Sequence, residues 1–242
     1  MMNLQNEQQP IDNIFIKDTT SVTKFMSNVF LYMTGALALT GFVAYWVSGQ
    51  EAIINAMFNA EDRLNLLGYA VMFAPLIFVL IMSFAFNRLS YTSLFLLFAA
   101  YSFVNGISFS FIFLAYTGSA IATTFFITAG TFSIMAVLGY TTKTDLTKFG
   151  SILYMGLIGI ILASLVNWFL GNSTLDYIIS ILGVLIFTGL TAYDVQKLKN
   201  IGAGQTGDET TRKLVLMGAL TLYLDFINLF LFLLRLFGGS RD

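Results

Sequence analysis

Near its C-terminus the chain reads LVLMGALTLYLDFINLFLFLLRLF, residues 214–237. A helix that crosses a bilayer needs about 20 mostly apolar residues, and this run supplies them. A single carboxylate, Asp225, interrupts the run midway. The stretch therefore predicts a membrane-spanning helix with an acidic side chain inside it.

The rest of the chain has the same apolar character. Of its 242 residues, 57% are hydrophobic and 10% are charged, whereas a soluble domain carries about 25% charged residues. Most of the surface must therefore face the lipid bilayer, and we expect an all-α membrane protein. The net charge of −1 gives no bulk attraction for nucleic acid.

Two residue types are absent from the chain, cysteine and histidine. Their absence excludes disulfides, thiolate and imidazole metal sites, cysteine nucleophiles and Ser–His triads. Any response to pH near neutrality must then come from carboxylates. We expect no resident cofactor and no enzymatic activity.

Stretches without charged residues locate the membrane spans. The gap between Arg88 and Lys143 is long enough for two spans, whereas the gap between Asp176 and Asp194 is short for one. The predicted spans are seven: about 26–48, 64–86, 91–115, 119–140, 149–170, 177–196 and 214–237. They form a transmembrane domain over residues 26–238, after a polar tail of residues 1–25. We expect residues 197–213 to form a flexible loop.

The positions of lysine and arginine predict the orientation, because cytoplasmic segments carry an excess of them. With a cytoplasmic N-terminus, nine of them lie inside: Lys17, Lys24, Arg88, Lys143, Lys148, Lys197, Lys199, Arg212 and Lys213. Three lie outside: Arg63, Arg235 and Arg241. Trp46 and Trp168 then both fall at the outer interface, where indole rings prefer to lie. Short tails and compact loops fit a bacterial inner (plasma) membrane.

Asp225 is the first candidate functional residue. An ionisable residue at mid-membrane costs about 2.5–3.5 kcal/mol on insertion scales, so it is a functional candidate by default. On a helix, Gly218, Thr221 and Asn228 share its face. This small, polar stripe predicts a surface that faces protein or water. The alternative is a carboxyl that serves helix packing alone.

Asp194 is the second candidate. The apolar run before it spans a bilayer only if Asp194 lies at the inner boundary, where a local ion pair with Lys197 is the alternative interpretation. Spans six and seven are consecutive and are expected to be neighbours, which brings Asp194 towards Asp225. Arg88, at the inner end of span two, is the cation positioned to reach the pair; its alternative role is a topology anchor.

Two neighbouring carboxylates in a low-dielectric site repel each other when both are ionised. They are therefore expected to share a proton and to titrate as one coupled unit. Carboxylate oxygens are also the ligands that hard cations such as Ca²⁺ prefer, so we expect calcium between Asp194 and Asp225. The sequence thus supports the hypothesis of a pH-gated cation path.

Three stretches resemble the Bax inhibitor-1 family: Gly139–Leu146 (GYTTKTDL), Thr191–Lys197 (TAYDVQK) and Leu222–Phe230 (LYLDFINLF). The resemblance extends from about residue 24 to 238. It implies a seven-helix fold whose last helix is surrounded by the other six, and a pH-sensitive Ca²⁺ leak. It also implies that Asp194 and Asp225 form the pH sensor and that Arg88 is a latch from the second span.

Two other functions remain open at this stage. One is a membrane regulatory protein that binds other membrane proteins, such as proteases, without ion flux, as some members of that family do. The other is an intramembrane aspartyl protease, whose two Asp residues lie on adjacent spans. Tyr193-Asp194 fits one half of that pattern, but glycines are missing before Asp225 and a Pro-Ala-Leu element is missing after it.

Overall fold

The computed structural model describes residues 9–61, 63–205 and 207–238, with side chains from Thr20 onward. These ranges are almost entirely helical, with one isolated β-bridge between Phe58 and Leu64. The helices are α1 (Gln9–Ser48), α2 (Glu51–Ala56), α3 (Leu66–Phe84), α4 (Tyr91–Phe109), α5 (Ile112–Ala115), α6 (Gly118–Thr141), α7 (Thr147–Leu170), α8 (Ser173–Gly202) and α9 (Glu209–Phe237).

Seven helical segments in the described ranges are long and apolar enough to cross a membrane, which confirms the predicted fold class. The third of them combines α4 and α5, and the short α2 lies in the connection between α1 and α3. In the region predicted as a tail, residues 1–8 lie outside the described residues. Helix α1 begins at Gln9, so it includes much of the segment predicted as a polar tail.

Helices α8 and α9 also extend beyond their predicted bounds. Helix α8 extends to Gly202 and α9 begins at Glu209, so the loop predicted for residues 197–213 is largely helical. The prediction ended these spans at charged residues, which was too early. Charged residues next to a span can continue or cap a helix when their side chains find hydrogen-bond partners. The Lys199 Nζ donates to the carbonyl of Tyr140 at 2.8 Å, and Asp208 caps α9 by accepting from the Thr211 amide at 2.8 Å.

Several other helix ends also have local sequence causes. Side chains of Asn65, Ser90, Thr117 and Asn172 accept from the first-turn amides of α3, α4, α6 and α8, as N-cap residues do. Helix α7 ends at Gly171, whose φ of 62° lies in the left-handed region that glycine adopts readily.

Helix α9 lies at the centre of the bundle, as the resemblance implies. A larger share of its span is buried than of any other span. Its main direct packing partners are α1, α4, α6 and α8, whereas α3 packs chiefly on α4, and α7 on α8. The outward faces of α3 and α7 carry large exposed apolar side chains, which suits contact with lipid.

The first prediction concerns orientation. The chain has no cysteine, so a single cysteine can be introduced at Ala203 or at Ala60. Both residues are exposed, and the order of the spans places them on opposite sides of the membrane. The lysine and arginine distribution places Ala203 in the cytoplasm. We expect an impermeant thiol reagent added outside intact cells to label Ala60→Cys and to label Ala203→Cys only after the cells are opened. The reverse pattern would mean that the predicted topology is inverted.

Candidate functional site

The structure brings Asp194 of α8 and Asp225 of α9 together inside the bundle. Their side chains are buried, with 2% and 5% of each residue exposed. Both carboxyls line one cavity, and they are close enough to interact electrostatically. The Lys197 ammonium lies 5.9 Å from the centre of the Tyr193 ring, and no close ion pair joins it to Asp194 in the described ranges, although its charge acts on that carboxyl. Asp194 is therefore a buried residue of α8 that makes no close ion pair with Lys197.

A cavity of about 490 Å³ lies beside the pair, between α7, α8 and α9. Most of its wall is apolar, and its polar groups are concentrated near the two carboxyls. The lining residues are Tyr154, Leu157, Ile160, Ile161, Ser164, Phe187, Leu190, Asp194, Thr221, Leu224, Asp225, Asn228 and Phe232. A space of this size beside two buried acids can admit a hydrated or partly dehydrated ion.

Tyr154 of α7 is a site residue that the sequence did not reveal. Its hydroxyl lies 3.3 Å from Asp194 Oδ1 and 3.5 Å from Oδ2, in the direction of donation. Its ring packs edge-on against Tyr193. Nothing in the apolar α7 sequence distinguishes this tyrosine, because its role depends on how α7 faces α8.

The predicted polar face of α9 is only partly a cavity wall. Thr221 and Asn228 line the cavity, although the Thr221 hydroxyl and the Asn228 amide both donate to backbone carbonyls one turn earlier. Gly218 has a different role. A Cβ there would lie 2.7 Å from the Leu198 side chain and 3.3 Å from that of Val29, so this glycine permits close packing of α9 on α8 and α1.

The Asp225 carboxyl keeps one unused acceptor. Its Oδ2 is buried and has no hydrogen-bond partner among the described residues. A buried polar atom without a partner is costly, on the order of 1–3 kcal/mol, and calls for an explanation. A proton or a cation entering the cavity would satisfy this atom, so the site is suited to take up positive charge.

Arg88 is not brought to the pair. It lies exposed in the turn between α3 and α4 and makes no ion pair with any carboxylate in the part of the chain that the structure describes. Helix α3 packs chiefly on α4, away from α8 and α9. In the conformation observed, the predicted latch is therefore not engaged.

A second buried polar group lies on the opposite face of α9. The hydroxyl of Tyr223 accepts from Asn105 Nδ2 at 2.7 Å and lies 2.7 Å from the Thr40 hydroxyl. Thr40 in turn donates to the carbonyl of Ser102 at 2.9 Å. These contacts join α9 to α1 and α4 without any ionised group, so α9 is anchored on this side.

The three family-like stretches meet in space. Gly139 of α6 packs directly on the backbone of Ala192 in α8, two residues before Asp194. The Gln196 side chain accepts from the amide of Leu146 at 2.9 Å and donates to the carbonyl of Thr144 at 2.8 Å. The first stretch thus holds α8 and, with it, the position of Asp194.

For a calcium ion the site supplies part of a coordination shell. Ca²⁺ takes six to eight oxygen ligands in proteins, and no group of three or more acidic side chains that could hold a metal ion occurs in the described ranges. The two carboxyls by themselves therefore do not complete a calcium coordination shell.

Comparison with known proteins supports the family resemblance. A family model described as "Inhibitor of apoptosis-promoting Bax1" matches residues 22–242. The inner membrane protein YbhL of Escherichia coli (strain K12) is 44% identical over 234 residues, which are 96% of this chain and 98% of that protein. An uncharacterized protein of Borreliella burgdorferi is 43% identical over the full length of both chains. The chain therefore belongs to the Bax inhibitor-1-like family of membrane proteins.

Proposed function

We propose that this protein is a pH-sensitive calcium leak channel of a bacterial inner membrane, without enzymatic activity, and that Asp194 and Asp225 form its pH sensor. One observation carries the proposal: two buried carboxyls line the same cavity, and Asp225 Oδ2 is buried there without a hydrogen-bond partner among the described residues. The location follows from the inner-membrane relative in Escherichia coli and from the seven spans.

The pair has two states that differ by one proton. When one carboxyl is protonated, it can donate a hydrogen bond to the other and so hold α8 and α9 together. When both are ionised, they repel in a medium of low dielectric constant. Raising the pH removes the shared proton and therefore destabilises the observed contact.

Motion is expected on the α8 side of the pair. The Tyr223 network anchors α9 to α1 and α4 with uncharged hydrogen bonds that do not respond to pH near neutrality. Among the described residues, the Asp194 carboxyl receives one long hydrogen-bonding contact, from Tyr154, and it also interacts with the charges of Lys197 and Asp225. Separation of the pair therefore displaces α8 together with α7, and the two ionised carboxylates become ligands for a passing Ca²⁺.

The test is calcium flux through the purified protein in liposomes, measured over a range of pH. A leak channel gives flux that depends on both protein and pH. No flux at any pH would favour the regulatory alternative, in which the protein acts by binding other membrane proteins. Cleavage of a transmembrane-helix substrate that is lost in Asp194→Asn would favour the aspartyl protease.

The second prediction concerns Arg88 as a latch. Its guanidinium is free of carboxylates in the proton-sharing arrangement, and we infer that it pairs with the carboxylates only when both are ionised. Arg88→Ala should therefore shift the pH midpoint of flux and change the basal flux together. Arg88→Lys should rescue partly, because lysine keeps the charge and loses the two-point geometry.

The topology-anchor role of Arg88 predicts a different result in the same titration. As an anchor, Arg88→Lys would match the wild type, and Arg88→Ala would reduce membrane insertion without moving the midpoint. An unmoved midpoint in correctly inserted Arg88→Ala protein would remove the latch from the mechanism.

A further inference from the structure

One aromatic residue interrupts the polar face of α9. From Thr221 this face continues through Asp225 and Asn228 at the helical spacing of three or four residues. The next position at that spacing is Phe232, and Arg235 follows near the outer end of the helix. Phe232 also lines the cavity that contains the acidic pair. Its ring thus lies between the pair and the outer end of α9.

The Phe232 ring fills the space between α9 and α8. It stacks on Phe187 of α8, with ring centres 5.8 Å apart and an interplanar angle of 28°. It lies directly on Gly183 of α8, where a Cβ would be 2.6 Å from the ring carbons. The missing side chain of Gly183 therefore provides the space that the ring occupies.

An ion pair lies on the outer side of this aromatic layer. Arg235 Nη1 is 3.6 Å from Asp176 Oδ1 at the start of α8. The same guanidinium lies 5.7 Å from the centre of the Phe232 ring, within the range of a cation–π contact. Helices α8 and α9 are thus closed beyond the cavity first by two rings and then by a charged pair.

We propose that Phe232 and Phe187 form an outer hydrophobic gate in series with the acidic pair, an inference that rests on the proposed channel function. A narrow apolar constriction excludes water and thereby excludes ions until its side chains move apart. The rings carry no titratable group. Proton release at the pair loosens the inner half of the α8–α9 contact, and conduction follows only when the rings also separate.

Access to the cavity from outside tests the gate without relying on ion flux. A cysteine at Leu157, which lines the cavity about one helical turn from Tyr154, reports entry of a charged thiol reagent. We expect labelling from outside at fixed pH to be slow in Leu157→Cys alone and about tenfold faster with Phe232→Ala, since lowering a barrier by ~1.4 kcal/mol gives that factor.

Phe230→Ala is the matched control. Phe230 is a phenylalanine of α9 that is more deeply buried than Phe232, and it faces Phe125 of α6 with ring centres 6.5 Å apart. Its truncation removes at least as much packing without opening the proposed gate, so labelling should stay slow. Phe232→Leu keeps most of the apolar volume and removes the stacking of the two rings. If Phe232→Ala does not fold, the same labelling is measured on Phe232→Leu.

The outcomes separate the gate from the channel function. Equal labelling of Leu157→Cys with and without either Phe232 substitution overturns the gate, and so does an equal increase with Phe230→Ala. Fast labelling restricted to the Phe232 variants, with raised calcium flux that still responds to pH, supports gate and channel together. The same labelling without calcium flux in any variant supports the barrier and overturns the channel.

Discussion

Gly139→Ala should destabilise the protein by about 3 kcal/mol or more, at or above the upper end of typical overpacking costs. A Cβ at Gly139 would meet the carbonyl oxygen of Ala192 and lie 2.8 Å from its carbonyl carbon and Cα. These are backbone atoms, which cannot move aside by a change of rotamer. Helices α6 and α8 would have to separate, which also displaces Asp194.

Gly130→Ala on the same helix is the control for this prediction. A Cβ at Gly130 has no atom within 4 Å, and alanine is favoured over glycine in a helix interior by about 1 kcal/mol. Thermal unfolding in detergent should show a clear loss for Gly139→Ala and little change or a gain for Gly130→Ala. Equal melting midpoints would mean that the α6–α8 contact does not require glycine.

Asp225→Asn and Asp194→Asn should each remove most of the pH dependence of flux. An equilibrium that releases one proton changes by ~1.4 kcal/mol, or tenfold, per pH unit, and an amide has no proton to release in this range. Asp225→Asn should have the larger effect. Asp225 Oδ2 is buried without a hydrogen-bond partner among the described residues, whereas Asp194 receives the contact from Tyr154 and the attraction of the Lys197 charge.

A measurement independent of flux follows from the same linkage. A folded state that holds one more proton than the unfolded chain loses stability as the pH rises. The melting midpoint of the wild type should therefore fall as the pH is raised from the ordinary carboxyl range to the pH at which the pair loses its shared proton, and this slope should flatten in both Asn variants. Correctly folded Asn variants that keep the slope and the pH dependence of flux would show that the carboxyls serve packing alone.

Asp145→Asn is the control for the sensor. Hydrogen bonds from the side chain and the backbone of Thr147 hold the pKa of Asp145 below its usual range, so this exposed carboxylate stays ionised near neutrality. Its replacement should leave the pH profile of flux unchanged. A flattened profile in Asp145→Asn would indicate that the response to pH does not originate at the buried pair.

The linear sequence was sufficient to predict the span count and the two acids. Apolar runs of span length must form helices in lipid, because each backbone polar group needs a partner within its own segment. A charged residue inside such a run can also be identified from the sequence, because the free-energy cost of inserting it into the membrane makes it a functional candidate before its neighbours are known. The seven spans and Asp225 were found in this way, whereas Asp194 was predicted at the inner boundary of its span and became a candidate because spans six and seven were expected to be neighbours.

The bounds of α8 and α9, and the roles of individual polar residues, required the tertiary structure. Charges end a predicted span, but Lys199 remains helical because the Tyr140 carbonyl lies beside it. The positions of Tyr154 and Phe232 relative to the acidic pair depend on how α7 and α8 face α9. No local sequence pattern predicts that arrangement. A residue's own type determines whether it can enter the membrane, whereas its partner is decided by helix packing, because that partner is distant in sequence.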